Sequence, residues 1–145
     1  MLRRHEGFTL IELMIVVVVI GILAAMAASN WMSMQASAKE AAVKANCHTV
    51  QLAAEDYSVR NDGVYAASLI DNAPGMTIIQ LLPGGQRLEN PFTRAITEPV
   101  DGAAATEGQT GYQVVIQAGA NVGYQIDGVG RGPALSTVIT LSNGQ

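Results

Sequence analysis

The sequence is poor in the residues from which catalytic and metal sites are built. Its 145 residues include one cysteine and two histidines, so a zinc site or a nucleophile–base pair has few possible members. The lone cysteine, Cys47, excludes a disulfide within this chain. Charged residues make up 14% and the net charge is -4, which does not indicate a phosphate-binding surface. We therefore predict no catalytic residue, no cofactor, no metal and no required nucleic-acid partner.

Three oxygen-bearing side chains late in the chain are the remaining candidates for a metal. Asp101, Asp127 and Asn143 do not form a dense acidic run of the kind that holds calcium. We expect each of them to lie in a solvated turn. The glycines of residues 128–130 are likewise expected to serve turns rather than a phosphate-binding loop.

Hydrophobic residues, 49% of the chain, are concentrated near its start. Residues 8–28 are apolar apart from Thr9 and Glu12. As a helix this segment would extend about 31 Å, which matches the hydrocarbon core of a bilayer. Arg3 and Arg4 precede it, so the N-terminus should remain cytoplasmic while the remainder is translocated. The sequence therefore predicts a transmembrane helix over residues 8–28.

Two simpler explanations compete for this segment. A secretory signal would need a cleavage site, which residues 24–28 offer only weakly, and the apolar run is long for such a signal. An uncleaved membrane anchor needs nothing beyond length and flanking charge. Glu12 disfavours the anchor, because an unpaired carboxylate in an apolar span costs on the order of a few kcal/mol.

The role of Glu12 has two interpretations. A carboxylate in the first turn of a helix gains roughly 0.3–1 kcal/mol from the helix dipole, which is a local role. Alternatively, cleavage after Gly7 would create an amine on Phe8, and an amine and a carboxylate attract strongly in apolar surroundings. We favour the second interpretation because the local gain is smaller than the burial penalty.

The segment Gly7–Leu13, GFTLIEL, followed by a long aliphatic run, resembles the processing and assembly motif of type IV pilins and type II secretion pseudopilins. In that family a membrane peptidase cleaves after the glycine and methylates the new N-terminal residue. The resemblance implies a leader of residues 1–7, cleavage between Gly7 and Phe8, and N-methylation of Phe8. It also implies that Glu12 neutralises the Phe8 amine of a neighbouring subunit during assembly.

The resemblance further implies the partners of the chain. They are copies of the same chain in a helical filament, the peptidase and methyltransferase, and an inner-membrane assembly platform with its motor. Before assembly the partner is the membrane. The sequence differs from the family pattern at Ser29, a position where many pilins carry a proline. Without proline, any break in the helix should be mild or absent.

The helical pattern continues beyond the apolar segment as an amphipathic helix over residues 29–62. Its apolar stripe steps by three and four residues. The stripe consists of Val43, Cys47, Val50, Ala54 and Tyr57. Residues 61–63, Asn-Asp-Gly, provide a helix stop. We therefore predict one helix from Phe8 to about Arg60 that is apolar all round in its first half and amphipathic in its second.

Residues 63–145 are predicted to form a globular head. Glycines and prolines interrupt the first part, which indicates loops with one short helix near residues 76–82. Segments 112–117, 122–127 and 135–141 are rich in Val, Ile, Thr and Tyr and predict three antiparallel strands. A sheet that covers the stripe of the long helix gives an α+β, pilin-like fold.

These predictions favour a structural subunit, processed at the inner membrane and assembled into a type IV pilus-like filament. The alternative within the family is the major pseudopilin of a type II secretion system, whose filament spans the periplasm instead of leaving the cell. A less favoured alternative is a monomeric membrane-anchored domain that binds a partner through its loops. That domain would need no cleavage after Gly7.

Overall fold

The computed structural model describes residues 7–132 and 136–143. Its helices are α1 (Leu10–Arg60) and α2 (Ile78–Leu81), with a 3-10 turn at Pro83–Gly85. Its strands are β1 (Leu88–Glu89), β2 (Ile96–Glu98), β3 (Val100–Asp101), β4 (Thr110–Gln117), β5 (Ala120–Val129) and β6 (Thr137–Ser142). A long helix combined with mostly antiparallel sheets confirms the α+β class.

Tertiary contacts divide the chain into two units between Ala36 and Ser37. The first contains the apolar part of α1. The second contains the remainder of α1 and all the strands, so the amphipathic part of the helix belongs to the head.

The end of α1 is built from a backward hydrogen bond and two residues in left-handed conformation. Asp62 has φ 54° and Gly63 has φ 86°. The Gly63 N–H donates to the Ser58 carbonyl at 2.9 Å, which satisfies a carbonyl that the ending helix would leave free. The stop predicted at residues 61–63 is confirmed.

The core of the second unit is the predicted stripe of α1 packed under the sheet. All five stripe residues are buried, with Val43, Cys47, Val50 and Tyr57 fully inaccessible and Ala54 nearly so. They form one cluster with Tyr112, Tyr124 and Ile126 from the sheet. The predicted packing of sheet on helix is therefore confirmed.

The main sheet has four strands instead of the predicted three. Its order is β3-β4-β5-β6, and β3 is parallel to β4 while the other pairs are antiparallel. A separate two-stranded sheet pairs β1 with β2. The strands that the prediction missed have only two or three residues, too few to show an alternating pattern.

The expectation that residues 128–130 form a turn is wrong for Gly128, which lies inside β5. A Cβ atom there would be 2.7 Å from Cys47 Sγ and 2.8 Å from Val43 Cγ1. Glycine is therefore needed because the strand runs almost against the helix.

The short helix predicted near residues 76–82 is confirmed as α2. Its Thr77 hydroxyl accepts from the Gln80 N–H at 3.2 Å, and the Gln80 side chain accepts from the Thr77 N–H at 2.9 Å. This reciprocal pair is a capping box, which allows a helix of only four residues to start at a defined position.

A buried carboxylate ties the loops of the head to the sheet. Glu98 is fully buried, and its Oε2 accepts from the Thr110 N–H at 2.8 Å. Its Oε1 accepts from Asn90 Nδ2 at 3.0 Å and from the Thr97 hydroxyl at 3.1 Å. Three donors compensate for the burial of the charge, so the carboxylate holds the loop around Asn90 against β4.

Candidate functional site

The predicted cleavage point lies in an exposed, non-helical segment. Gly7, Phe8 and Thr9 precede the first turn of α1. The Phe8 side chain is 83% exposed, and nothing lies within 4 Å of where a Cβ atom of Gly7 would be. A protease needs an accessible backbone outside a helix, and Gly7 and Phe8 are both exposed and non-helical in the structure.

Glu12 forms a capping box with Thr9. Its Oε2 accepts from the Thr9 N–H at 3.0 Å and from the Thr9 hydroxyl at 2.7 Å, and the Glu12 N–H donates to Thr9 Oγ1 at 3.3 Å. The arrangement places Thr9 at the N-cap and Glu12 three residues later. The carboxylate thus has a local role in starting α1, of the kind that the helix-dipole interpretation proposed.

This capping box was not predicted, although its pattern is present in the sequence. A threonine followed three residues later by a glutamate, directly before an apolar run, is a known signature of a helix start. Since Thr9 keeps its amide N–H whether or not the chain is cleaved before Phe8, the box is compatible with processing.

None of the large apolar side chains described in the first unit, from Phe8 to Met34, is buried. Every side chain described from residue 7 to residue 35 is exposed. Ile11, Met14, Ile15, Val18 and Val19 line a shallow apolar groove on this surface. Each such side chain would gain about 1.5–3 kcal/mol if it were removed from water. The segment therefore requires a partner or a membrane to cover it.

Among the described residues, α1 is the one helix long and apolar enough to cross a membrane. It contains an 18-residue stretch of mean hydropathy 2.9, and none of that stretch is buried within the structure. The core helix of a water-soluble protein would instead be mostly buried. The finding supports a membrane-anchored precursor. Arg3 and Arg4, on which the predicted orientation depends, lie outside the described residues.

Each of the three candidate metal ligands forms a hydrogen bond to a backbone group. Asp101 Oδ1 accepts from the Leu69 N–H at 2.7 Å, and Asp127 Oδ2 accepts from the Ala104 N–H at 2.9 Å. Asn143 Nδ2 donates to the Val122 carbonyl at 2.9 Å. The expectation of a solvated turn is wrong for Asp127, which is buried in β5, and for Asp101, which is exposed but lies in strand β3.

In residues 7–132 and 136–143 there is no group of three His, Cys, Asp or Glu side chains able to hold a metal ion. Cys47 is buried, and that burial raises the pKa of its thiol to about 11. A thiol with so high a pKa is protonated and unreactive at neutral pH. It serves as a small core residue.

Comparison with known proteins agrees with the motif. Residues 2–28 match the family described as the prokaryotic N-terminal methylation motif. No solved structure matches the chain significantly.

Two curated relatives match over 59 residues, which is 41% of the chain. The type IV major pilin protein PilA of Myxococcus xanthus is 46% identical there, and the type II secretion system core protein G of Pseudomonas aeruginosa is 41% identical. The matches span 27% and 42% of these relatives' own lengths. The methylation motif and the two relatives show that the N-terminal part of the chain is similar to type IV pilins and type II secretion pseudopilins.

Proposed function

We propose that this protein is a structural subunit that is processed at the inner membrane and then polymerises into a type IV pilus-like filament. The observation that carries the proposal is the first part of α1, whose apolar side chains are exposed on every side. An apolar helix alone is sufficient for a membrane anchor. The carboxylate of Glu12 is costly in apolar surroundings unless it is paired, so its presence supports association with other copies. In the filament, these helices bury one another and the heads form the outer surface. The role is structural and involves no catalysis.

Processing is the first step of the proposed function. Cleavage between Gly7 and Phe8 removes the leader, and N-methylation modifies the new amine of Phe8. The exposed, non-helical backbone at this bond supports the step. The proposed partners are the prepilin peptidase with its methyltransferase activity, followed by the inner-membrane assembly platform and its motor. The filament then extends out of the cell.

Glu12 is proposed to pair with the Phe8 amine of a neighbouring subunit. Its capping box uses Oε2, since both hydrogen bonds from Thr9 end on that oxygen. One carboxylate oxygen can therefore cap its own helix while the charge attracts an amine from another copy. Within an apolar filament core the attraction is screened little.

Two matched variants separate the local role of Glu12 from its proposed role in assembly. Glu12→Gln removes the charge but keeps an acceptor able to form a capping box. Thr9→Val removes the hydroxyl but keeps the carboxylate. We expect the Glu12→Gln precursor to enter the membrane while filament yield falls at least tenfold. Thr9→Val should lose no more than about 1 kcal/mol of helix stability and should still form filaments.

The assay is electron microscopy and shearing of filaments from the native host. Mass spectrometry of the membrane fraction should show an N-methylated Phe8 terminus for both variants. Filaments at wild-type yield from Glu12→Gln would rule out charge pairing. An intact leader on wild-type protein that remains monomeric in the membrane would rule out the proposed function as a whole.

A secretion pseudopilus is the second candidate. It is supported by the match to the type II secretion system core protein G. Deletion of the gene distinguishes the two candidates. Loss of surface filaments supports the pilus, whereas retention of exported proteins in the periplasm supports the pseudopilus.

A further inference from the structure

A pocket on the head combines two cations with one carboxylate. It is lined by Lys39, Ala42, Asn46, Glu89, Pro91 and Arg94. The Lys39 ammonium lies 5.2 Å from the centre of the Phe92 ring, which holds it at the pocket by a cation–π contact. The pocket therefore carries a net positive charge, although the chain as a whole has a net charge of -4.

The turn that carries Arg94 is held in place by several hydrogen bonds. Arg94 has φ 65°, a conformation that non-glycine residues rarely adopt. Buried Asn90 holds the turn, because its Oδ1 accepts from the Phe92 N–H at 2.9 Å and the Thr93 N–H at 3.1 Å. The Arg94 N–H also donates to the Asn90 carbonyl at 2.9 Å. The guanidinium is thus carried on a pre-organised turn.

Arg94 remains available for another partner. Its side chain is 84% exposed, and its contact with Glu89 is long, at 3.7 Å between Nε and Oε1. An ion pair so exposed contributes little to stability. A carboxylate that enters the pocket can therefore replace or share this contact at small cost.

The opposite charge lies at the far end of α1. Glu55, Asp56 and Asp62 are accompanied there by one cation, Arg60, which pairs with Asp56 at 3.0 Å on the surface. Glu55 is held in place by the hydroxyls of Tyr124 at 2.7 Å and Tyr65 at 3.1 Å. This end of the head is therefore negative and partly rigid.

The two charged surfaces cannot meet within one molecule. Lys39 and Asp56 are 17 positions apart on α1, which corresponds to about 25 Å at 1.5 Å per residue. A contact between two different surfaces of identical subunits forms a ring if the rotation between subunits closes, and an open helical array if it does not. A helical filament requires contacts of this heterologous kind.

We propose that the Lys39–Arg94 pocket receives the acidic end of α1, around Asp56, from a second copy of this chain. This head-to-head contact rests on the proposed filament and adds to the packing of the apolar helices. Electrostatic complementarity of this type sets register and specificity more than affinity. The contact therefore selects which neighbouring copies the heads may touch.

Crosslinking tests the contact directly. The full-length double variant Arg94→Cys/Asp56→Cys is assembled in the native host and treated with a short bismaleimide. The buried Cys47 should not react. We expect a ladder of multimers on a denaturing gel, whereas each single-cysteine variant should stop at dimers. Wild-type-like filaments from the double variant without a ladder would overturn the contact.

Charge reversal supplies an independent test. Arg94→Glu and Asp56→Arg should each lower filament yield on the order of tenfold, and the double variant should recover most of it. Arg131→Glu is the matched control, because it makes the same charge change at an exposed arginine that does not line the pocket. Full yield from both single variants would refute the contact and leave the filament itself in place. Failure of the wild-type chain to assemble would overturn both proposals.

The yields of the charge-reversal variants also show whether another protein, instead of a second copy of this chain, occupies the pocket. If the pocket binds an acidic peptide of another protein, Arg94→Glu lowers yield but Asp56→Arg does not, and the double variant does not recover. That pattern would also refute the contact between copies. Thermal unfolding of each variant by circular dichroism checks that the head is intact.

Discussion

The two parts of α1 differ in what covers their apolar side chains. From residue 10 to residue 35 every described side chain is exposed, whereas from Val43 to Tyr57 one stripe is fully buried by the sheet. Both parts are rich in apolar residues and both are helical. The first is apolar around its whole circumference, so no single sheet could cover it. The second has one apolar face, which matches one sheet.

This difference shows that helix formation and helix burial have separate causes. The capping box of Thr9 and Glu12 starts the helix at a defined residue and requires no tertiary partner. The stripe in the second part gains its stability from the sheet. Substitutions in the two parts should therefore affect different properties of the protein.

The largest expected effect is the loss of a core side chain from the head. Ile126→Ala removes a fully buried side chain and should lower the free energy of unfolding by about 2–5 kcal/mol. Ile116→Ala is the matched control, since that isoleucine is 62% exposed and should change stability by less than about 0.5 kcal/mol. Chemical denaturation followed by circular dichroism measures both. Equal losses would show that the core is assigned wrongly.

A charged residue in the first part of α1 should strongly reduce membrane insertion and leave the stability of the head unchanged. Val18→Asp places a carboxylate near the middle of the apolar segment, at a cost of about 2.5–3.5 kcal/mol for membrane insertion. Membrane fractionation should show loss of the integrated precursor, and filaments should disappear. The melting temperature of the head should not change, because Val18 is exposed and belongs to the first unit, not to the core of the second. Val18→Leu should behave as wild type.

Replacing a glycine with alanine should have opposite effects on stability in the head and in the first part of α1. Gly128→Ala forces a Cβ atom to within 2.7 Å of Cys47 Sγ and should destabilise the head by about 1–3 kcal/mol. Gly21→Ala meets nothing within 4 Å and should stabilise the helix by up to about 1 kcal/mol. Stability of the two variants, measured by thermal unfolding, should thus change in opposite directions. A neutral Gly128→Ala would contradict the close approach of β5 to α1.

The smallest expected effect is a sensitivity of the head to alkali. Burial raises the pKa of Tyr57 and of Tyr124 to about 12, above the ordinary value near 10. Their contribution to stability is complete below pH 10 and is lost as the pH rises toward 12, because the unfolded chain ionises first. Unfolding monitored between pH 9 and pH 12 should show this loss. Tyr124→Phe should weaken the pH dependence, and an unchanged profile would contradict it.

The sequence was sufficient for features with a local or periodic cause. The buried stripe of α1 repeats every three or four residues, and the helix stop at residues 61–63 uses Asn, Asp and Gly, so both were predicted correctly. The capping box at Thr9 is equally local, but it was not predicted, because the long apolar run that follows it indicates membrane burial. The cleavage, methylation and assembly roles of Gly7, Phe8 and Glu12 remain predictions.

Only the tertiary structure decided the features that depend on distant residues. The pairing of β3 with β4, the closeness of Gly128 to Cys47, and the burial of Asp127 and Glu98 all join segments far apart in the chain. No periodicity marks such contacts in the sequence. By itself, the sequence determined one long helix with an apolar first part and an amphipathic second part, because helix geometry turns residue spacing directly into faces. The fourth strand and the buried carboxylate arise from packing, which brings together residues that no local pattern relates.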